Sequence, residues 1–254
     1  MAGVSSKNCL RGEVIILTDS RGAGLAGKIT REFKDLPELN VQVRVYKGAT
    51  LQRIAQAKNR IRQRFDLCVI AAGVCNFTER DTKNGLRILS YSNGGEKKRE
   101  IKETIRDLVS RNCIVATITP AHLGNYAVDK NPKNKEDLAD QIDEQTELLQ
   151  DIQEVNEFII EESKNKGSQI LNLAKKAYAS SRKRRGTKRK TVYTLRKDCL
   201  PDGVHLSNTL RKEWTRNICA AIKRYFSQAD STEEESTSEE ETGNFKRRRK
   251  EEKQ

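Results

Sequence analysis

No apolar run in this 254-residue chain approaches the length of a membrane span, and its N-terminal stretch MAGVSSKNCLRGEV has no apolar core of the kind a secretory signal carries. These absences point to a soluble, intracellular protein with no membrane partner. The six cysteines (Cys9, Cys68, Cys75, Cys113, Cys199 and Cys219) show no CxxC or Cys/His spacing, which argues against a zinc site. With nothing else suggesting secretion, they read as reduced thiols. Histidine is scarcer still. Only His122 and His205 are available, so any mechanism that needs an imidazole base must use one of these two. There is no internal repeat of useful length.

What is present is charge. Hydrophobic residues make up 35% of the chain and charged residues 33%, a balance that suits one modest core with solvated ends. The net charge is +13. From Ser227 onward nine acids face six bases, so the body holds the remaining 43 bases against 27 acids. A field of that sign attracts polyanions, RNA or DNA most simply, although it also serves solubility.

Five short β-branched runs read as strands: Glu13 to Thr18, Val41 to Tyr46, Asp66 to Ala72, Asn112 to Thr119 and Ser168 to Leu173. Helical patterns lie between and after them: Ala23 to Phe33, Leu51 to Arg64, about Lys97 to Val109, about Lys135 to Ser163, and Ser207 to Phe226. Strict alternation of strand and helix predicts an α/β fold of three α/β/α layers around a mainly parallel, doubly wound sheet. The predicted strand order is 2-1-3-4-5. Val41, Val43 and Val45 alternate with polar partners, which puts the second strand at an edge. The folded domain is expected over residues 12–226, after a flexible stretch at 1–11 and before a disordered tail at 227–254.

Two segments fall outside the rhythm. Ser180 to Lys190 carries Arg182, Lys183, Arg184, Arg185, Lys188, Arg189 and Lys190 with no acid, and reads as an exposed loop. It is open as a nucleic-acid contact, a nuclear-import signal or solvated charge. Lys246 to Lys250 in the tail is open to the same three readings. Ser231, Thr232, Ser236 and Ser238 lie among glutamates in the manner of acidic-directed kinase sites.

The chemistry-bearing residues sit at predicted strand ends. The first strand runs into Thr18-Asp19-Ser20-Arg21-Gly22, where the N–H groups opening the next helix could hold an oxyanion. A serine there is equally a good helix cap. Near the other end, Pro201-Asp202-Gly203-Val204-His205 makes a turn that can fold the carboxylate back onto one imidazole nitrogen, leaving the other for a nucleophile. His122 has no such carboxylate nearby and reads as a loop residue.

This order of blocks resembles the SGNH, or GDSL-type, hydrolases. Thr18-Asp19-Ser20 is similar to the family's Gly-Asp-Ser block, and Gly48 after the second strand is similar to its second-block glycine. Asp202-x-x-His205 matches its last block. The resemblance implies Ser20 as nucleophile, His205 as base oriented by Asp202, and oxyanion donors at Ser20 and Gly48. The third block, Gly-x-Asn-Asp in the family, reads Gly73-Val74-Cys75-Asn76 here: Cys75 takes the asparagine position in register, and Asn76 would reach it only by a one-residue shift. The implied activity is that of an esterase or deacetylase-type hydrolase acting without a cofactor on an unidentified small ester. The alternative is a non-catalytic or weakly catalytic nucleic-acid-binding module of the same fold, of mobile-element or viral origin, since certain non-LTR retrotransposons encode an esterase-like domain beside basic segments. Oligomeric state is not legible.

Overall fold

The structure is a computed structural model and describes residues 10–83, 85–92, 95–132, 141–185 and 188–228, with the side chains of 83, 141–143, 180–193 and 197 outside the description. Residues 1–9 and 229–254 also lie outside it. The readings of a flexible N-terminus and a disordered tail, including Lys246–Lys250 and its serines, therefore fall almost wholly beyond the described residues.

The central sheet has four hydrogen-bonded parallel strands: β1 (Gly12–Thr18), β2 (Leu39–Val45), β3 (Leu67–Ala71) and a later strand at Cys113–Val115. Their spatial order places β2 at the edge, then β1, then β3, then Cys113–Val115. The predicted order is thus seen. The fifth expected strand, Ser168 to Leu173, is reduced to one parallel bridge between Ala116 and Leu171. Its position in the order holds, but Asn172 turns away from strand geometry to accept from Thr117 Oγ1 and Lys175 N.

Burial explains why β1 and β3 are central. Val14 and Ile16 of β1, with Leu67, Val69 and Ala71 of β3, enter one core. Ile15 and Leu17, with Cys68 and Ile70, enter the other, on the opposite face. A strand covered on both faces reads as a continuous apolar run, as these do. The first core is closed by α1 (Ala26–Glu32) and by the last helix, whose Leu210, Trp214, Ile218 and Ile222 are buried. The second is closed by α2 (Leu51–Asn59) and α3 (Gly95–Leu108) together with the long helix Gln141–Asn165.

That long helix is a packed crossover element. Leu148, Ile152, Val155 and Ile159 recur at helical spacing and are essentially inaccessible to solvent, each contributing roughly 1.5–3 kcal/mol relative to exposure. On the same side Asn156 bonds both the N–H (2.6 Å) and the C=O (2.9 Å) of Ile118, fixing the chain just after the fourth sheet strand.

Two hairpins and a helix were not anticipated. β4 (Thr78–Lys83) and β5 (Leu86–Tyr91) form an antiparallel hairpin after β3. With Cys113–Val115 as β6, a short helix α4 (Leu123–Lys130) follows it, and Gln141–Asn165 is α5. The basic segment expected as an exposed loop is the distal part of a second hairpin, β7 (Tyr178–Arg185) paired with β8 (Lys188–Leu195) from Tyr178↔Leu195 to Arg185↔Lys188. The reason is in the flank. Thr191-Val192-Tyr193-Thr194 is a strongly β-forming run, and it carries the basic residues into the ladder with it. Helix α6 spans 208–228 and is opened by Ser207, whose Oγ accepts from Leu210 N at 3.3 Å. No described helix is long and apolar enough to cross a membrane. The five described cysteines are free thiols, all buried except the half-buried Cys75.

Candidate active site

The register levels the strand ends: Thr18 stands beside Val45 of β2 and Ala71 of β3. The turns bearing Ser20, Gly48 and Gly73–Asn76 therefore leave the sheet along one carboxyl edge, where open α/β sheets hold their ligands. Thr18, in the place of the family's glycine, is fully buried and donates from Oγ1 to Ala71 O at 2.9 Å. Its branched side chain thus links two strands.

Asp19 and Ser20 open a single 3-10 turn, Ser20–Gly22, with the Asp19 carboxylate accepting from Arg21 N at 2.9 Å. Asp19 and Arg21 are 1% and 2% exposed. Burial pushes the Asp19 carboxyl up from its ordinary range, and the Arg21 charge with backbone hydrogen bonds from Arg21 and Gly73 only partly offsets this. Burial likewise pulls the Arg21 guanidinium down, against the opposing effect of Asp19.

Arg21 is the residue that sequence reading passed over. Its Nε donates to Val204 O at 3.0 Å, its Nη2 to Pro120 O at 2.9 Å, and its Nη1 to Thr119 O. One side chain joins the turn after β1, the segment after β6 and the turn before His205. A base immediately after a candidate serine was the only signal available.

The Asp202–His205 turn closes on itself. His205 Nδ1 lies 2.5 Å from Asp202 Oδ2, while Asp202 Oδ1 accepts the N–H groups of His205 (2.7 Å) and Val204 (3.0 Å). Burial acts to raise the Asp202 carboxyl, but these three hydrogen bonds and the nearby imidazole outweigh it and leave the group below its ordinary range. With Nδ1 facing a carboxylate, Nε2 is the nitrogen left to accept a proton. It has no partner among the described residues.

This turn is docked on α4. His122 N donates to Gly203 O at 2.8 Å and Asn125 Nδ2 to Leu200 O at 2.8 Å. Gly203 has φ +78°, and a Cβ there would lie 2.4 Å from both His122 O and Tyr126 N. Only glycine fits. His122 itself caps α4, its Nδ1 accepting from Asn125 N at 3.0 Å.

The two candidate oxyanion backbone donors are open. Neither the Ser20 nor the Gly48 N–H donates to another group among the described residues. Gly48 has φ +66° with nothing near its missing Cβ. The third block forms a 3-10 turn, Val74–Asn76. Asn76 Oδ1 accepts from Leu51 N at 2.8 Å and its Nδ2 donates to Gln52 Oε1 at 2.6 Å, so α2 takes the carbonyl and one amide hydrogen. Cys75 lies within electrostatic reach of Asp19 and Arg21; burial first, and then the Asp19 charge, push its thiol up. Ser20 Oγ makes no hydrogen bond to His205 or any other described residue. In unliganded sites such contacts are commonly long.

A cleft of about 560 Å³ borders Asp202 and His205. Its far wall is the first hairpin, with Arg80, Asp81 and Thr82 of β4 and Arg87 of β5; Tyr126 and Lys130 of α4 complete it. The side chains of Arg182 to Lys190 lie outside the described residues. Among the described residues no group of histidines, cysteines and carboxylates is arranged to hold a metal ion.

No protein-family model and no curated protein sequence matches the chain. Similar solved structures include the acetyl xylan esterase AlAXEase, at 13% identity and a TM-score of 0.50 over 82% of this chain and 99% of that one. Axe2, an acetylxylan esterase from Geobacillus stearothermophilus, is 13% identical with a TM-score of 0.48, over 84% of this chain and 95% of its own. The OSK domain of Drosophila Oskar is 11% identical with a TM-score of 0.42, over 81% and 86%. At these identities the likeness to AlAXEase shows a shared fold: the chain is an α/β protein with a mostly parallel sheet, helices on both faces, and an esterase among its structural neighbours.

Proposed function

We propose that the chain is a serine ester hydrolase of the SGNH type, with Ser20 as nucleophile, His205 as general base and Asp202 orienting the imidazole. The observation that carries this reading is the 2.5 Å approach of His205 Nδ1 to Asp202 Oδ2, on a turn held through Val204 O by Arg21, the residue following Ser20. A surface Asp-His pair alone would be ordinary. A pair anchored through a buried cation to the strand end bearing a serine has a reason to be held there.

In the reaction, Ser20 Oγ attacks the ester carbonyl as its proton passes to His205 Nε2. The N–H groups of Ser20 and Gly48 hold the oxyanion, and the second amide hydrogen of Asn76 is the remaining side-chain donor of useful strength. Collapse of the tetrahedral intermediate releases the alcohol, which takes the proton from His205. Water, deprotonated by the same imidazole, then hydrolyses the acyl-enzyme to acid and free serine. No cofactor enters. The substrate is a small ester or acetylated alcohol whose carbonyl reaches Ser20; the cleft beside His205 is lined by Asp202 and Val204 but not by Ser20.

The non-catalytic alternative is favoured by one specific observation, the engagement of Asn76 by α2, because an oxyanion donor lost costs on the order of 10²–10³ in kcat. Labelling by a fluorophosphonate probe and hydrolysis of short-chain p-nitrophenyl esters separate the two. The wild type should label and turn over, and Ser20→Ala and His205→Ala should not. Equal signal from all three proteins removes the enzymatic claim.

A further inference from the structure

From Asn40 to Phe65 the chain has seven bases and no acid: Arg44, Lys47, Arg53, Lys58, Arg60, Arg62 and Arg64. The fold gathers this stretch into one unit, edge strand β2 and helix α2. Between the two runs a trough of about 600 Å³, lined by Arg44 and Tyr46 from the strand side and Gln52, Arg53, Gln56 and Arg60 from the helix. Its lining contains no carboxylate.

The three guanidinium groups are uncompensated. Among the described residues none makes an ion pair, and their only side-chain partner there is a 3.5 Å contact from Arg44 Nη2 to Gln42 Oε1. A carboxylate nearby, Glu13, accepts instead from Asn40 Nδ2 (2.8 Å) and Gln63 Nε2 (3.3 Å). Elsewhere the protein does pair its basic residues: Lys98 and Lys102 of α3 meet Asp151 and Glu154 of α5. Like charges clustered without counter-charge raise each other's free energy, a cost that an anionic ligand removes.

We propose that this β2–α2 trough binds single-stranded nucleic acid. Arginines spaced along both walls suit successive phosphates rather than one. The half-buried Tyr46 ring offers a stacking face, and the amide of Gln56 supplies the paired donor and acceptor that base edges use, while Gln52, whose Oε1 accepts from Asn76, has its amide hydrogens left to donate. A concave channel is the wrong shape for a flat lipid surface. β2 is also the sheet's open edge, so the trough's strand side is not covered by another strand. The inference does not depend on ester hydrolysis, and the basic β7–β8 hairpin is a separate place on the fold.

The test uses the full chain and a fluorescein-labelled 20-nucleotide oligouridylate, read by fluorescence anisotropy across a salt series. The trough variant is Arg44→Gln/Arg53→Gln/Arg60→Gln. Its control removes the same charge from a different basic depression, Lys28→Gln/Arg31→Gln/Lys212→Gln, whose lining also holds Glu32 and Glu213. The trough variant should bind at least roughly tenfold more weakly at low salt, with a slope of log K against log salt shallower by about two, while the control stays near wild type. Matching thermal melts confirm that both variants fold. An equal loss in both variants assigns the binding to general charge and overturns the proposal. So does undiminished binding by the trough variant, or a wild type that binds phosphatidylserine vesicles but not the oligonucleotide.

Discussion

Arg21 donates from Nε to the carbonyl oxygen of Val204 at 3.0 Å, joining the residue after Ser20 to the residue before His205 across 183 positions of sequence. The same guanidinium also satisfies the carbonyls of Thr119 and Pro120, and its charge partly offsets the burial of Asp19. Arg21→Met leaves three carbonyls without their donor and removes the nearby positive charge from Asp19, whose carboxylate keeps its backbone N–H partners. A buried acceptor left unsatisfied costs about 1–3 kcal/mol, so urea unfolding should show a loss of at least that order. Arg21→Lys keeps the charge and loses the planar fork, and should fall between. If the chain hydrolyses esters as proposed, kcat of the variant should drop with KM nearly unchanged, because on that reading the cation positions His205 rather than touching substrate.

The two site carboxylates pull stability in opposite directions with pH. Asp202 is held below its ordinary range by hydrogen bonds in the folded state, so its contribution is present above the unfolded value and disappears as pH falls through the folded one. Asp19, raised by burial, binds its proton more tightly when folded, so its contribution declines as pH rises through its folded value. Asp202→Asn should therefore flatten the loss of stability below about pH 4, measured as urea midpoints across pH. An unchanged acid limb in that variant would sink the assignment.

At the third block the structure offers a gain-of-function test. Cys75 lies within electrostatic reach of Asp19 and Arg21, and its thiol, a poor donor, is pushed up by burial. Cys75→Asn puts an amide in that place and should raise kcat for p-nitrophenyl acetate by roughly tenfold or more. Asn76→Ala should cost about 1–3 kcal/mol of stability by freeing the Leu51 N–H at the start of α2, and should lower kcat as well by removing the amide hydrogen offered to the oxyanion.

Gly203 and Gly48 both have positive φ, yet replacing them should differ sharply. Gly203→Ala drives a methyl into His122 O and Tyr126 N, so it should destabilise by more than the strain of about 1 kcal/mol expected at Gly48, where space is open. Differential scanning calorimetry of the two variants makes the comparison. Displacement of the docked turn should also remove His205 from its place and abolish fluorophosphonate labelling.

Local pattern was enough for the sheet's order. The apolar runs of β1 and β3 announce burial on both faces, and the alternation in β2 announces an edge. It was not enough for the fifth strand, because Ser168 to Leu173 is as apolar as a strand but Asn172 is bonded to Thr117 and Lys175. The basic hairpin was missed because charge was weighed above the β-forming run Thr191 to Thr194, and helix α4 because it is only eight residues long.

By itself the sequence determined the supply of chemistry: a serine after the first strand, one Asp-His turn, a cysteine where an asparagine would be stronger, and a 26-residue stretch with no acid. Only the tertiary structure decided how these are used. It took Arg21 from among 49 bases and set it against three carbonyls, spent half of the Asn76 amide on α2, and faced Arg44 toward Arg53 and Arg60. The reason is physical. A strand or a turn is encoded in neighbouring residues, whereas a buried charge takes whatever partner the packing of distant segments presents, and no local pattern contains that partner.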